Sequence, residues 1–204
     1  GRDLLIGRVE VLTSGDDESE TAPPARIGGG AVFRGDRMVG WVDEGDIMGW
    51  FYATGRADHT TLTIQAPGDD IPVSVDISRM ISEMRPAADD GEVRVELRVR
   101  AEGSIQNFPT AGDLETGGGF IESLERRLAE AIRSRIETAI ASSQRFNSDI
   151  IGFGNLIHRK RPKTWDSIGG LWDEILPQLV VNVTVNAEIV RTGLSSSPAH
   201  GGGK

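Results

Sequence analysis

Cysteine is absent from the 204 residues, which excludes disulfides and thiolate chemistry but leaves the redox compartment open. Histidine occurs only at His59, His158 and His200, far apart and without a paired spacing, so neither a metal nor a cofactor is expected. No run approaches the roughly 18 apolar residues that a membrane span requires. Basic charge is in deficit, with 22 Lys and Arg against 31 Asp and Glu and a net of −9. Phosphate binding needs a basic surface, so nucleic acid is excluded as the main partner. The deficit is uneven. Residues 120–163 hold nine basic and five acidic residues, a net of +4, and the remaining 13 basic and 26 acidic residues carry −13. No signal peptide is visible and the chain opens on Gly1, which suggests a piece of a longer precursor.

The longest pattern present is helical. From Phe120 to about Arg145 there is neither proline nor glycine. Ile121, Leu124, Leu128, Ala131, Ile132, Ile136, Ala139 and Ile140 step by three or four into one stripe. Glu122, Glu125, Arg126, Glu130, Arg133 and Glu137 take the other face, with Glu122 and Arg126 in the favourable order for an ion pair. Such a helix runs about 38 Å and needs a partner of similar length.

Strand patterns supply it. Val93, Val95, Leu97, Val99 and Ala101 alternate strictly with charged residues, and Leu179, Val181, Val183, Val185, Ala187 and Ile189 repeat the pattern. Leu62–Ala66 and Ile71–Ile77 alternate more briefly, with turns at residues 67–70 and Pro86–Gly91. The expectation is an α+β domain: a mainly antiparallel, long-stranded sheet with one long and two shorter helices on one face. Upstream lies a small β-rich unit. It has a strand over residues 2–12, an acidic loop to Gly30, and a hairpin of Ala31–Phe33 and Met38–Val42 turning at Gly35-Asp36. An apolar segment from Ile47 to Ala53 follows, with Asp46 as its candidate N-cap and Gly55 as its stop. The expected division is residues 1–55, residues 56–194, and a flexible tail over 195–204. The acidic loop is read as solvated rather than cation-binding.

The stretch between long helix and last strand carries the most specific motifs. Ser148 or Asn147 is a candidate cap for a second helix through Ile150, Phe153, Leu156 and Ile157, ended by Pro162. Thr164 is a candidate cap for a third, with Trp165 and Trp172 on one face. Asp149, Gly152-Phe153-Gly154, His158-Arg159-Lys160, Pro162-Lys163, Trp165, Trp172-Asp173-Glu174, Pro177 and Arg191-Thr192-Gly193-Leu194 stand in order. This series resembles the C-terminal signature of the Ger(x)C lipoproteins, the C subunits of bacterial spore germinant receptors. The hairpin GAVFRGDRMVGWVDEGD is similar to the one that opens the family's C-terminal region, and the resemblance runs from about Gly30 to Leu194. Arg161 and Ile175 depart from the pattern, where an aromatic and a larger apolar residue are expected. The resemblance implies a full-length extracytoplasmic lipoprotein anchored by an N-terminal lipid on the outer face of the spore inner membrane. It implies a receptor-like A subunit and a multi-span B subunit as partners, nutrient-triggered spore germination as the process, and no catalytic residues.

The residues themselves offer weak chemistry. Gly117–Gly119 lacks the Lys and Ser/Thr of a phosphate loop, and Gly152-Phe153-Gly154 does not follow a strand. His158 with Asp149 or Asp173 is a candidate acid–base pair, but no nucleophile stands in a recognised context. A capping or buried histidine is the plainer reading. Trp165 and Trp172 read first as core and second as the wall of a ligand pocket. The basic run His158, Arg159, Lys160, Arg161 and Lys163 is the candidate interaction surface, for an acidic partner or anionic lipid, unless it only complements its own helix end. The leading expectation is a non-enzymatic scaffold and interaction module; the alternative is a small-molecule, germinant-binding domain.

Overall fold

In a computed structural model of the chain, residues 3–11, 25–67, 71–89, 92–107 and 119–190 are described. The acidic loop over residues 13–24, Gly117-Gly118 and the tail over 195–204 lie outside the described residues. Three antiparallel strands come first: β1 (Leu5–Val11), β2 (Ala25–Arg34) and β3 (Arg37–Val42), in the order β1-β2-β3. The hairpin turns where expected, at Gly35, whose φ of 60° suits glycine. β2 begins earlier than the sequence suggests. Gly28–Gly30, read as loop, lie within β2, where Gly30 pairs with Gly7 of β1 and a side chain at Gly30 would meet the Ile6 carbonyl at 2.8 Å. Gly30 serves close approach, and Gly29, at a φ of 122°, serves a backbone turn that side chains rarely adopt.

The apolar segment is helix α1 (Glu44–Thr54), and its N-cap is Asp43 rather than Asp46. Asp43 accepts the Asp46 amide at 2.9 Å, three residues in, as capping geometry demands. Asp46 is buried, and its carboxylate accepts the Ser142 hydroxyl at 3.0 Å. Gly55 ends the helix in the left-handed region as expected.

The second sheet has the order β4-β5-β6-β7, formed by β4 (Thr60–Gln65), β5 (Pro72–Asp89), β6 (Glu92–Asn107) and β7 (Val180–Ile189). β4, β5 and β6 are antiparallel. β5 continues past the Pro86 expected to open a turn, since Pro86 still pairs with Val95. Proline fits there because β4 reaches only to Ile77, which leaves β5 an edge strand beyond it. β7 lies parallel to β6. The cause is the long helix α2 (Gly119–Arg145), which carries the chain back along the sheet so that β7 starts where β6 started.

α2 covers the apolar face as its stripe requires. Leu124, Leu128, Ile132 and Ile136 are fully buried, against Val95, Leu97 and Val99 of β6 in one continuous core. Each such side chain contributes about 1.5–3 kcal/mol. The ion pair on its exposed face is Arg133–Glu137 at 2.7 Å, not Glu122–Arg126. α1 crosses α2 so closely that a Cβ on Gly49 would lie 1.9 Å from the Arg135 carbonyl oxygen. The same core joins Val32, Val42 and Ile47 to the larger sheet.

Candidate functional site

The chain leaves α2 through Asn147, whose φ of 46° turns it sharply. Neither Asn147 nor Ser148 caps the next helix. Ser148 donates its hydroxyl to the Phe33 carbonyl at 2.7 Å, and Asn147 donates to the Asp173 carbonyl at 2.8 Å. Ile150 and Ile151 are buried in a bend, and helix α3 starts later, at Phe153, and runs to Lys160. Its capping group is Asp149. That carboxylate accepts the amides of Gly152 (2.9 Å), Phe153 (2.7 Å) and Gly154 (2.7 Å), three donors that open a helix without intrahelical partners. The Asp149 amide donates in turn to the Asp3 carboxylate, which also accepts the Gly35 amide. Burial pushes the Asp149 carboxyl above its ordinary pKa, the three amides oppose the rise, and the Asp3 charge adds to it. Asp46 is likewise raised, first by burial, with the Ser142 hydrogen bond opposing.

α3 ends at Lys160, and α4 (Pro162–Ile168) starts at once with Pro162 at its head. Thr164 therefore lies inside a helix instead of capping one. A 3-10 turn over Gly169–Leu171 breaks the expected third helix, which resumes as α5 (Trp172–Ile175). Trp165 and Trp172 still meet, with ring centroids 5.4 Å apart, across the break. Neither is fully buried. Trp172 leans on the core, whereas Trp165 stacks on His158 at 5.6 Å. Gly154 and Gly169 lie under the indoles, where added Cβ atoms would come within 3.0 Å and 2.9 Å of the rings. The result is a cleft of about 290 Å³ lined by Gly154, Asn155, His158, Trp165, Trp172 and Asp173, among others.

The acid–base reading of His158 gains no orienting carboxylate. Asp149 is committed to backbone amides and Asp173 to Arg34 of β2. His158 is exposed, not a buried core histidine.

His158, Arg159, Lys160, Arg161 and Lys163 all stand exposed on the corner between α3 and α4. Among the described residues, the four Lys and Arg side chains form no ion pair. His158, Arg159 and Lys160 sit in the last turn of α3, where cations complement the carbonyl end. Lys163 sits in the first turn of α4, the wrong end for a cation, so helix-end complementation does not account for it. A second hollow of about 420 Å³ adjoins the cluster, lined by Lys160 and Arg161 together with Met84, Pro86 and the Glu83–Arg85 ion pair. Sequence reasoning placed the basic run and the tryptophans, but missed Asp3, Asp43 and Arg34. Those three act across long separations or as single turn residues, where no periodic signal exists.

A family model described as "Spore germination B3/ GerAC like, C-terminal" matches residues 28–193. Spore germination protein KC of Bacillus subtilis (strain 168) is 25% identical over 199 residues, covering 96% of this chain and 49% of that protein. Spore germination protein B3 of the same organism is 18% identical over 201 residues, covering 93% and 53% respectively. The chain thus spans about half the length of the curated relatives it matches. The crystal structure of the GerBC protein has the same fold, with a TM-score of 0.77 at 16% identity over 94% of this chain and 57% of that one. The ordered motifs, the fold and the match over residues 28–193 agree: the chain belongs to the Ger(x)C family, the C subunits of bacterial spore germinant receptors, and is that family's C-terminal region.

Proposed function

We propose that the chain is a non-enzymatic interaction module of an extracytoplasmic germinant-receptor subunit that acts in nutrient-triggered spore germination. The observation that carries this reading is the unpaired basic corner of Arg159, Lys160, Arg161 and Lys163 on a rigid, core-backed frame. Charges without internal partners contribute little to folding and are available to a partner of opposite sign. Family membership supports a role in germination, and the family is not one of known enzymes. The full-length protein, held at the outer face of the spore inner membrane by an N-terminal lipid, docks an acidic surface of the A or B subunit through this corner. The division at residue 55 belongs to the proposal too: each part has its own sheet, and the smaller rests on the larger through α1 and α2. Co-purification of full-length protein with the A and B subunits from detergent-treated spore membranes is the test. Recovery of the complex, and its loss on reversing the four charges, is expected; no association under gentle conditions counts against the reading.

The aromatic cleft favours a second reading, a site for a small germinant. Calorimetry with amino acids, sugars and nucleosides separates the two, since flat traces at millimolar ligand eliminate it.

A further inference from the structure

The aromatic cleft and the basic corner share His158, and together they specify a partner more narrowly than charge alone. α4, the 3-10 turn and α5 bury none of their own residues. They form a surface bracket held against α3 through the two indoles, with Gly154 and Gly169 kept small beneath the rings. Trp165 is outside the core and presents a partly exposed aromatic surface beside His158. Exposed, pre-positioned tryptophans of this kind are typical anchors of interfaces.

The occupant follows from the charges. Among the described residues Asp173 is the one carboxylate lining the cleft, and it is paired with Arg34. A cationic ligand therefore meets an already paired carboxylate inside and four unpaired cations on the adjoining corner of α3 and α4. Asp166 on α4 reduces that cluster to a net of +3 without changing its sign. An uncharged aromatic group flanked by carboxylates meets indole and imidazole faces within and cations outside. The surface is also extended. Two separate hollows adjoin the corner, one lined by His158 and the other by Lys160 and Arg161, so a length of chain covers both better than a small molecule.

We propose that this corner captures an acidic peptide segment of a partner protein, with one aromatic side chain seated between Trp165, His158 and Trp172 and its flanking carboxylates on Arg159, Lys160, Arg161 and Lys163. The inference rests on the docking reading above and adds the partner's chemistry.

The test titrates the 204-residue chain with the peptide Ac-EDEFEDE-NH2 and with its Phe→Ala form, read by tryptophan fluorescence and calorimetry. The Phe peptide is expected to bind about tenfold more tightly than the Ala peptide. Trp165→Ala is expected to abolish that difference, and Lys160→Glu with Lys163→Glu to weaken both peptides at least tenfold in a salt-dependent manner. Circular dichroism and melting confirm that Trp165→Ala is folded, and the exposed lysine variants supply an arm that does not depend on it. Equal affinity for the two peptides overturns the inference, as does binding unchanged by Trp165→Ala. Benzoate binding as tightly as the Phe peptide overturns the extended-segment claim. If no peptide binds at millimolar concentration while charge reversal still dissociates the receptor complex, the aromatic-anchor inference falls and the docking reading stands.

Discussion

Replacing Asp149 with alanine removes the acceptor for three amides at once. The carboxylate is 3% exposed and receives Gly152, Phe153 and Gly154 within 2.9 Å, so no water replaces it without local opening. A buried donor left unpaired costs about 1–3 kcal/mol. Three of them give a gross loss well above 3 kcal/mol, and relief of the buried charge returns part of it. The net expectation is about 3 kcal/mol. Asp149→Asn keeps one acceptor oxygen but turns an amide toward the Gly154 N–H, so about half that loss is expected. Urea unfolding followed by tryptophan fluorescence measures both. With a slope of about 2–3 kcal/mol per M, the alanine midpoint falls by about 1–1.5 M. The pH dependence gives an independent sign. Burial raises the folded-state pKa of Asp149 above its ordinary 3.8, so between the two values the folded protein holds a proton that the unfolded chain has lost. Stability from this group is therefore highest below that window and falls as pH rises through it. The parent's advantage over Asp149→Ala should shrink from pH 4 to pH 7. An alanine variant within 0.5 kcal/mol of the parent (about half the worth of one hydrogen bond) refutes the capping account, and an advantage that grows with pH shows that the three amides outweigh burial in setting the Asp149 pKa.

Asp46→Asn keeps an acceptor for Ser142 and removes a buried charge, so it should be neutral or up to about 1 kcal/mol stabilising at pH 7, with the gain fading toward pH 4. A thermal melt series over that range checks the sign. Gly49→Ala places a methyl into the Arg135 carbonyl and should cost about 2–3 kcal/mol by forcing α1 off α2, read by urea unfolding. Ile132→Ala, in the middle of the buried stripe, should cost about 2–5 kcal/mol in the same assay.

The parts of this fold that repeat were legible in the sequence. The period-two run at Val93–Ala101 and the four-residue steps of Leu124, Leu128, Ile132 and Ile136 are each dictated by a single buried face, and both elements form where the pattern lies. The glycines at residues 28–30 misled because glycine signals either freedom or close approach, and at Gly30 only the neighbouring Ile6 and Ile47 decide between them. The direction of β7 depends on the length of α2 rather than on any residue of β7. At the site, the run of five basic residues was visible, but whether they were free depended on partners distant in sequence. Arg34, 139 residues before Asp173, pairs with the carboxylate that lines the cleft. Asp149 looked like a possible catalytic orienter because a carboxylate near a histidine reads the same on paper. Its three amide partners belong to it alone.

The most direct test of the central claim is a pull-down of the A and B subunits from spore membranes by full-length protein with Arg159, Lys160, Arg161 and Lys163 all changed to glutamate. The melting temperature of the variant chain is recorded alongside. If the corner is the docking surface, the subunits are lost from the pull-down while the melting temperature moves by no more than about 3 °C, as expected for unpaired surface charges. Full recovery of both subunits by the reversed-charge protein contradicts the account.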